Sequence, residues 1–148
     1  MDNRSLITRI ANAFPVEPSP TKENVLYKGA YSGDPELEEI RDYFGARPWK
    51  SLAPIDVFHF RHALSFLSPL ALAYFTPAWM TCSLADEATV DTAIQDLTGT
   101  LGRADPSLWT QEQRSLICEW LVHFRAVPLK PELEKAAKHL GCAMLPHN

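Results

Sequence analysis

The hydrophobic pattern of the chain is dominated by one uncharged stretch, residues 64–85 (LSFLSPLALAYFTPAWMTCSLA). It holds Phe66, Leu67, Leu70, Leu72, Tyr74, Phe75, Trp79, Met80 and Leu84, and no Asp, Glu, Lys, Arg or His. On a helical projection these residues spread around all sides, the pattern of an element enclosed by others. Ser68-Pro69 reads as a helix start, with Ser as cap and Pro in the first turn, and Thr76-Pro77 repeats that logic. The expected result is two short helices joined by a kink. The run is long enough to span a bilayer, but the two prolines and Ser65, Ser68, Thr76, Thr81 and Ser83 interrupt it. Each proline removes a hydrogen-bond donor that lipid cannot replace, so the stretch reads as core and no membrane association is expected.

The flanking segments carry helical periodicity. Asp2 or Asn3 caps a first helix with Leu6, Ile7, Ile10, Ala11 and Phe14 at i, i+3 and i+4 spacing, stopped by Pro15, Pro18 and Pro20. Residues 24–31 (NVLYKGAY) read as a short extended piece over the core, with Gly29 arguing against a full strand. Asp34-Pro35 opens a second helix, closed by Gly45, whose Leu37, Ile40 and Phe44 form the inward stripe. Glu36, Glu38, Glu39 and Asp42 then point to solvent, the glutamates near the end where the helix dipole favours negative charge. Trp49 and Leu52 plug one end of the core.

A third helix follows Pro54, with Ile55, Phe58 and His62 on one side and Val57, Arg61 and Leu64 on another. A fifth starts at Asp86 or Glu87, with Val90, Ile94, Leu97 and Leu101 in register, Asp91 and Asp96 outside, and Gly102 at its end. Thr110-Gln111-Glu112-Gln113 is a capping box, and the helix it opens carries Leu116, Ile117, Trp120, Leu121 and Phe124. Pro128 and Pro131 break that helix, and Glu132–Leu140 forms a last one closed by Gly141. The predicted fold class is therefore all-α: a single compact domain over residues 1–148, with about six or seven short helices around a central apolar helix pair.

Composition narrows the function classes. A hydrophobic fraction of 46% and a charged fraction of 22% are those of a folded globular domain. With 14 Lys+Arg against 18 Asp+Glu the net charge is −4, which lacks the basic footprint of a nucleic-acid binder. The opening MDNRSLITRIANAF has Asp2, Arg4 and Arg9 in place of the continuous apolar run of a secretory leader. Cys82, Cys118 and Cys142 are odd in number and show no CxxC spacing. They read as free, mostly buried thiols, and the expected location is cytoplasmic.

Candidate chemistry is sparse. No nucleophile motif, glycine-rich phosphate loop or HExxH is present. Asp56, His59 and His62 are spaced three apart on one helix, with His123 as a distant further imidazole, but they fall short of a closed zinc set. Glu119 and His123, at i and i+4, suit an acid–base couple or a plain surface ion pair, and the plain pair is favoured. Tyr74 and Trp79 are candidates to line a pocket, but aromatics at helical spacing read in favour of core. No catalytic residue, metal or cofactor is assigned, and a binding protein is favoured over an enzyme. Glu36, Glu38, Glu39 and Asp42 are the candidate partner-binding residues, an acidic face on a rigid helix suited to a basic protein.

Three stretches, ELEEIRDYFGARPWKSL, LSFLSPLALAYFTPAWM and TQEQRSLICEWL, resemble in that order a widespread bacterial family classed as a domain of unknown function. Its members share an acidic helix ending in Gly and Trp, a Leu-Ser-Pro-led aromatic segment, a Pro-Ala pair and a late helix headed by Glu-Gln. Trp49, Leu67, Ser68, Pro69, Tyr74, Pro77, Ala78, Met80, Glu112 and Gln113 carry the resemblance, which runs from about Leu6 to Phe124. The chain departs from the family pattern at Thr76 and Trp79, where Leu and Phe are more usual. The resemblance supplies no catalytic residues. The expected function is a cytosolic protein-interaction module, an immunity-type inhibitor that binds and neutralises a toxin domain. The alternative is a small-molecule-binding protein or metal-dependent hydrolase with a pocket beside Tyr74 and Trp79.

Overall fold

Capping chemistry places most of the helix ends. The structure, a computed structural model, describes residues 3–30, 33–124 and 130–142. Asp2, Tyr31, Pro128 and the side chain of Val90 lie outside the described residues. Seven α-helices are described: α1 (Asn3–Ala13), α2 (Pro35–Phe44), α3 (Pro54–His59), α4 (Pro69–Ala85), α5 (Glu87–Leu101), α6 (Gln111–His123) and α7 (Lys130–His139). Short 3₁₀ turns stand at Trp49–Ser51, Ala63–Phe66 and Pro106–Leu108. The fold is all-α. The Asp34 carboxylate accepts from Glu36 N at 2.9 Å to open α2. At α6 the capping box closes in both directions, Gln113 N to Thr110 Oγ1 at 3.1 Å and Thr110 N to Gln113 Oε1 at 3.0 Å.

The expected central pair of helices is one helix. α4 runs unbroken for 17 residues with Pro77 inside it. Thr76 caps nothing; its Oγ1 donates back to Leu72 O at 2.6 Å, within the same helix. An interior proline costs about 3 kcal/mol, whereas burying each large apolar side chain returns roughly 1.5–3 kcal/mol. Phe75, Trp79 and Met80 are all at most 1% exposed, so the surroundings of α4 outweigh the break. α5 packs along it most extensively, with α1 and α3 on other sides.

Three further expectations are corrected. The third helix is only six residues long; the chain leaves it at Phe60, turns, and continues as the 3₁₀ segment Ala63–Phe66, so His62 and Leu64 are not on α3. Pro131 does not break a helix but sits in the first turn of α7, where a missing N–H is tolerated. Cys118 and Cys142 are not free thiols: they form a disulfide with Cα atoms 5.6 Å apart, leaving Cys82 as the buried free cysteine. Their pairing was invisible in the spacing because it requires α7 to return beside α6.

Polar contacts tie the helices at their ends. The Asn3 amide donates to Leu84 O at 2.9 Å, joining the start of α1 to the end of α4. Gln113 Nε2 donates to Ala13 O at 3.0 Å, so the residue that caps α6 also holds the end of α1. Gly45, after α2, is needed for space: a Cβ there would stand 2.9 Å from Arg41 O and 3.0 Å from Lys22 Cα. Both are backbone atoms, held close because Ala46 N donates to Pro20 O at 2.7 Å. Gly45→Ala is expected to cost about 1–3 kcal/mol, read as a lower urea midpoint at unchanged m-value.

Candidate functional site

α2 is anchored by Leu37, Ile40 and Phe44, each at most 5% exposed, and it holds Glu36, Glu38, Glu39 and Asp42 outward as expected. The four carboxylates are not equivalent. Asp42 lies 3.2 Å from Arg41 Nε and 3.8 Å from Lys22 Nζ, which offset its charge locally. Glu39 lies 3.5 Å from His59 Nε2 on α3. Glu36 and Glu38, in the first turn, give the face its negative end. Through Glu39 and His59 the outer faces of α2 and α3 adjoin. Ile55, Phe58 and His59 share one stripe of α3 by helical spacing, and Ile55 and Phe58 are 63% and 40% exposed. An apolar pair thus stands at the border of the acidic helix.

The residues considered for a metal are separately employed. Asp56 Oδ2 accepts from Ala53 N at 2.8 Å, capping α3. His59 faces Glu39, and His62 Nδ1 lies 2.8 Å from Asp96 Oδ2 on α5. That contact makes Asp96 less outward than the periodicity predicts, and burial pushes its pKa up while His62 pulls it down. Among the described residues no group of three or more His, Cys, Asp and Glu side chains is placed to hold a metal. Nor do Glu119 and His123 form a couple: Glu119 takes a bidentate contact from Arg9 on α1, at 2.7 and 2.8 Å, and His123 lies edge-on to the Phe124 ring.

Two titratable groups beside Asp56 point away from acid–base or thiol chemistry. Burial, then the hydrogen bond to Asp56, pushes the Tyr43 phenol up to about 12. Burial, then the Asp56 charge, does the same to the Cys82 thiol. Neither ionises near neutral pH, so neither is poised as a nucleophile or base.

Trp79 lies in the core, as an aromatic at helical spacing predicts, and Tyr74 is half-buried. Trp79 is 1% exposed, with its ring centroid 6.1 Å from that of Phe44. The Tyr74 hydroxyl donates to Val16 O at 2.6 Å and accepts from Trp49 N at 3.1 Å, while Trp49 Nε1 donates to Pro15 O at 3.2 Å. These rings staple the chain after α1 to the turn after α2.

Open space lies elsewhere. A groove of about 790 Å³ runs between residues 22–30 and the start of α4, lined in part by Lys22, Tyr27, Lys28, Arg41 and Leu70. A smaller cavity of about 150 Å³ lies where His62, Asp96 and Arg103 meet. The groove was not legible from the sequence, because residues 24–31 read only as an extended piece over the core. Of the residues that carry the family resemblance, three serve packing and capping: Ser68 Oγ accepts from Ala71 N at 3.1 Å, Tyr74 staples, and Gln113 completes the capping box. Among the described residues no helix is long and apolar enough to cross a membrane. Set against known proteins, the chain matches no family model, no curated protein and no solved structure.

Proposed function

We propose that the protein is a protein-interaction module that docks a basic partner through the outer face of α2 and the adjoining stripe of α3, as an immunity-type inhibitor would cover a toxin domain. The observation that carries this reading is the contact between Glu39 and His59. It brings the outer faces of α2 and α3 together at Glu39, with Ile55 and Phe58 exposed on α3. An apolar centre beside a charged rim is the usual anatomy of a protein interface; Arg61 stacks over the Phe58 ring at 4.6 Å, so the attraction for a basic partner comes from the glutamates of α2. Membership of the bacterial family resembled by the sequence belongs to the same proposal. So does a cytoplasmic location, which the Cys118–Cys142 disulfide weighs against, since disulfides persist chiefly in oxidising compartments.

The test is capture from the host lysate with wild type and a Glu36→Lys, Glu38→Lys, Glu39→Lys variant side by side, followed by association kinetics with the captured partner. Reversal is expected to slow association by about tenfold or more at low salt, with the gap narrowing as screening shortens the range of the field. Ile55→Asp with Phe58→Asp is expected to raise the dissociation rate instead. Equal association rates for wild type and the reversed protein count against this face.

A further inference from the structure

We propose that the groove between residues 22–30 and the start of α4 is a binding site for a small anionic amphiphile, a molecule with a carboxylate head and an apolar body. The proposal does not rest on the α2–α3 docking face, although Arg41 of α2 lines the groove and pairs with Asp42. Its volume of about 790 Å³ falls within the range of about 300–1,000 Å³ typical of small-molecule pockets.

Its walls are fixed by backbone pairing. Tyr27 N donates to Phe66 O at 3.0 Å and Ser68 N to Val25 O at 2.8 Å, around the antiparallel bridge between Leu26 and Leu67. Ser68 Oγ adds a donation to Asn24 O at 2.7 Å. This holds Tyr27 and Leu70 at the groove although they are 40% and 57% exposed. Exposed large apolar side chains cost hydration, and two of them meet in one concavity.

Charge selects the head group. Lys22, Lys28 and Arg41 line the groove in a chain whose net charge is −4, so the positive character is local. Glu23 also lines the groove, and hydrogen bonds from its own backbone and from Thr21 lower its pKa and hold it as a carboxylate, so the lining carries three cations against this one anion. Lys22 and Arg41 reach Asp42, but more than a third of each side chain is exposed in these pairs. Exposed pairs of this kind hold weakly, so both cations can turn to a bound anion. α4 also begins at the groove, and the positive end of its dipole opens on the same space. Exposed apolar side chains and cations lining one groove fit an anionic amphiphile and disfavour a cationic one of equal length.

The test uses 8-anilinonaphthalene-1-sulfonate as a fluorescent probe of the purified protein, with decanoate and decyltrimethylammonium as competitors. One saturable site is expected, from which decanoate displaces the probe and decyltrimethylammonium does not. Lys28→Glu and Leu70→Asp, both at exposed positions, are each expected to weaken probe binding about tenfold with melting temperature unchanged. Ile55→Asp with Phe58→Asp is expected to leave it unchanged. Absence of a saturable site, equal displacement by the cation, or loss of binding in the α3 variant rather than the groove variants would overturn the proposal. Because the α3 variant is also the one expected to speed partner dissociation, failure at one site is distinguishable from failure at the other.

Discussion

Trp120→Ala is expected to remove about 3–5 kcal/mol, the cost of emptying a large buried aromatic site. Domains of this kind are held by only about 5–15 kcal/mol, so the variant approaches global unfolding. Trp120 is fully buried on α6 and packs against Phe124 at 5.0 Å between ring centroids. Its Nε1 donates to Ser83 Oγ at 2.8 Å, and that hydroxyl donates in turn to Met80 O at 2.8 Å. α6 packs more extensively on α1 than on α7, and this side chain gives it a polar link to the central helix. The two parts of the cost can be separated. Trp120→Phe keeps much of the volume and loses the hydrogen bond. Trp79→Phe at a matched depth loses none, since Trp79 Nε1 is buried without a partner. The first is expected to cost about 1 kcal/mol more than the second in urea titrations, the usual net worth of one hydrogen bond. Equal costs would mean that the bond to Ser83 contributes nothing.

The contrast between those two tryptophans also shows what the sequence can express. α2 and α6 are legible because Asp34, Pro35 and Gly45, or Thr110 and Gln113, act within a turn of the helix end they define. The same local grammar fails at Thr76-Pro77. Ser68-Pro69 and Thr76-Pro77 are chemically alike as dipeptides, and only the enclosure of α4 decides that one starts a helix and the other lies inside it. Exposure of Glu36, Glu38, Glu39 and Asp42 follows from the inward stripe of Leu37, Ile40 and Phe44. Their partners Lys22 and His59 arrive from other segments, as Arg9 does to Glu119. The groove is of the same non-local kind: its two walls meet through the bridge between Leu26 and Leu67, 41 residues apart (67 − 26). Neither wall alone has a pattern that marks a site.

Breaking the Cys118–Cys142 bond, by reduction or by Cys118→Ser with Cys142→Ser, is expected to cost about 3–4 kcal/mol in the chain-entropy account of a loop of this length. The bridge closes a sequence separation of 24 residues that contains all of α7. α7 has ten residues, below the length at which an isolated helix is stable in water. Its buried side chains are Leu133, Ala136 and Ala137, with Leu140 just past its end, and the two alanines bury little apolar area. The helix packs chiefly on α5, so the disulfide is its covalent hold on α6. Amides of α7 should therefore lose exchange protection first. The melting temperature should fall by about 10 °C, at roughly 2–4 °C per kcal/mol for a domain of this size. Alkylation checks the premise directly. Unfolded, unreduced protein should take label at Cys82 alone, and native protein at none, because Cys82 is buried with its thiol pushed up to about 12. Label at Cys118 and Cys142 without reductant, or an unmoved melting temperature, would remove the bond from the account. The proposed cytoplasmic location rests on the N-terminal pattern and on unpaired cysteines, so the same count, made on protein alkylated within the host cell before lysis, tests its second ground.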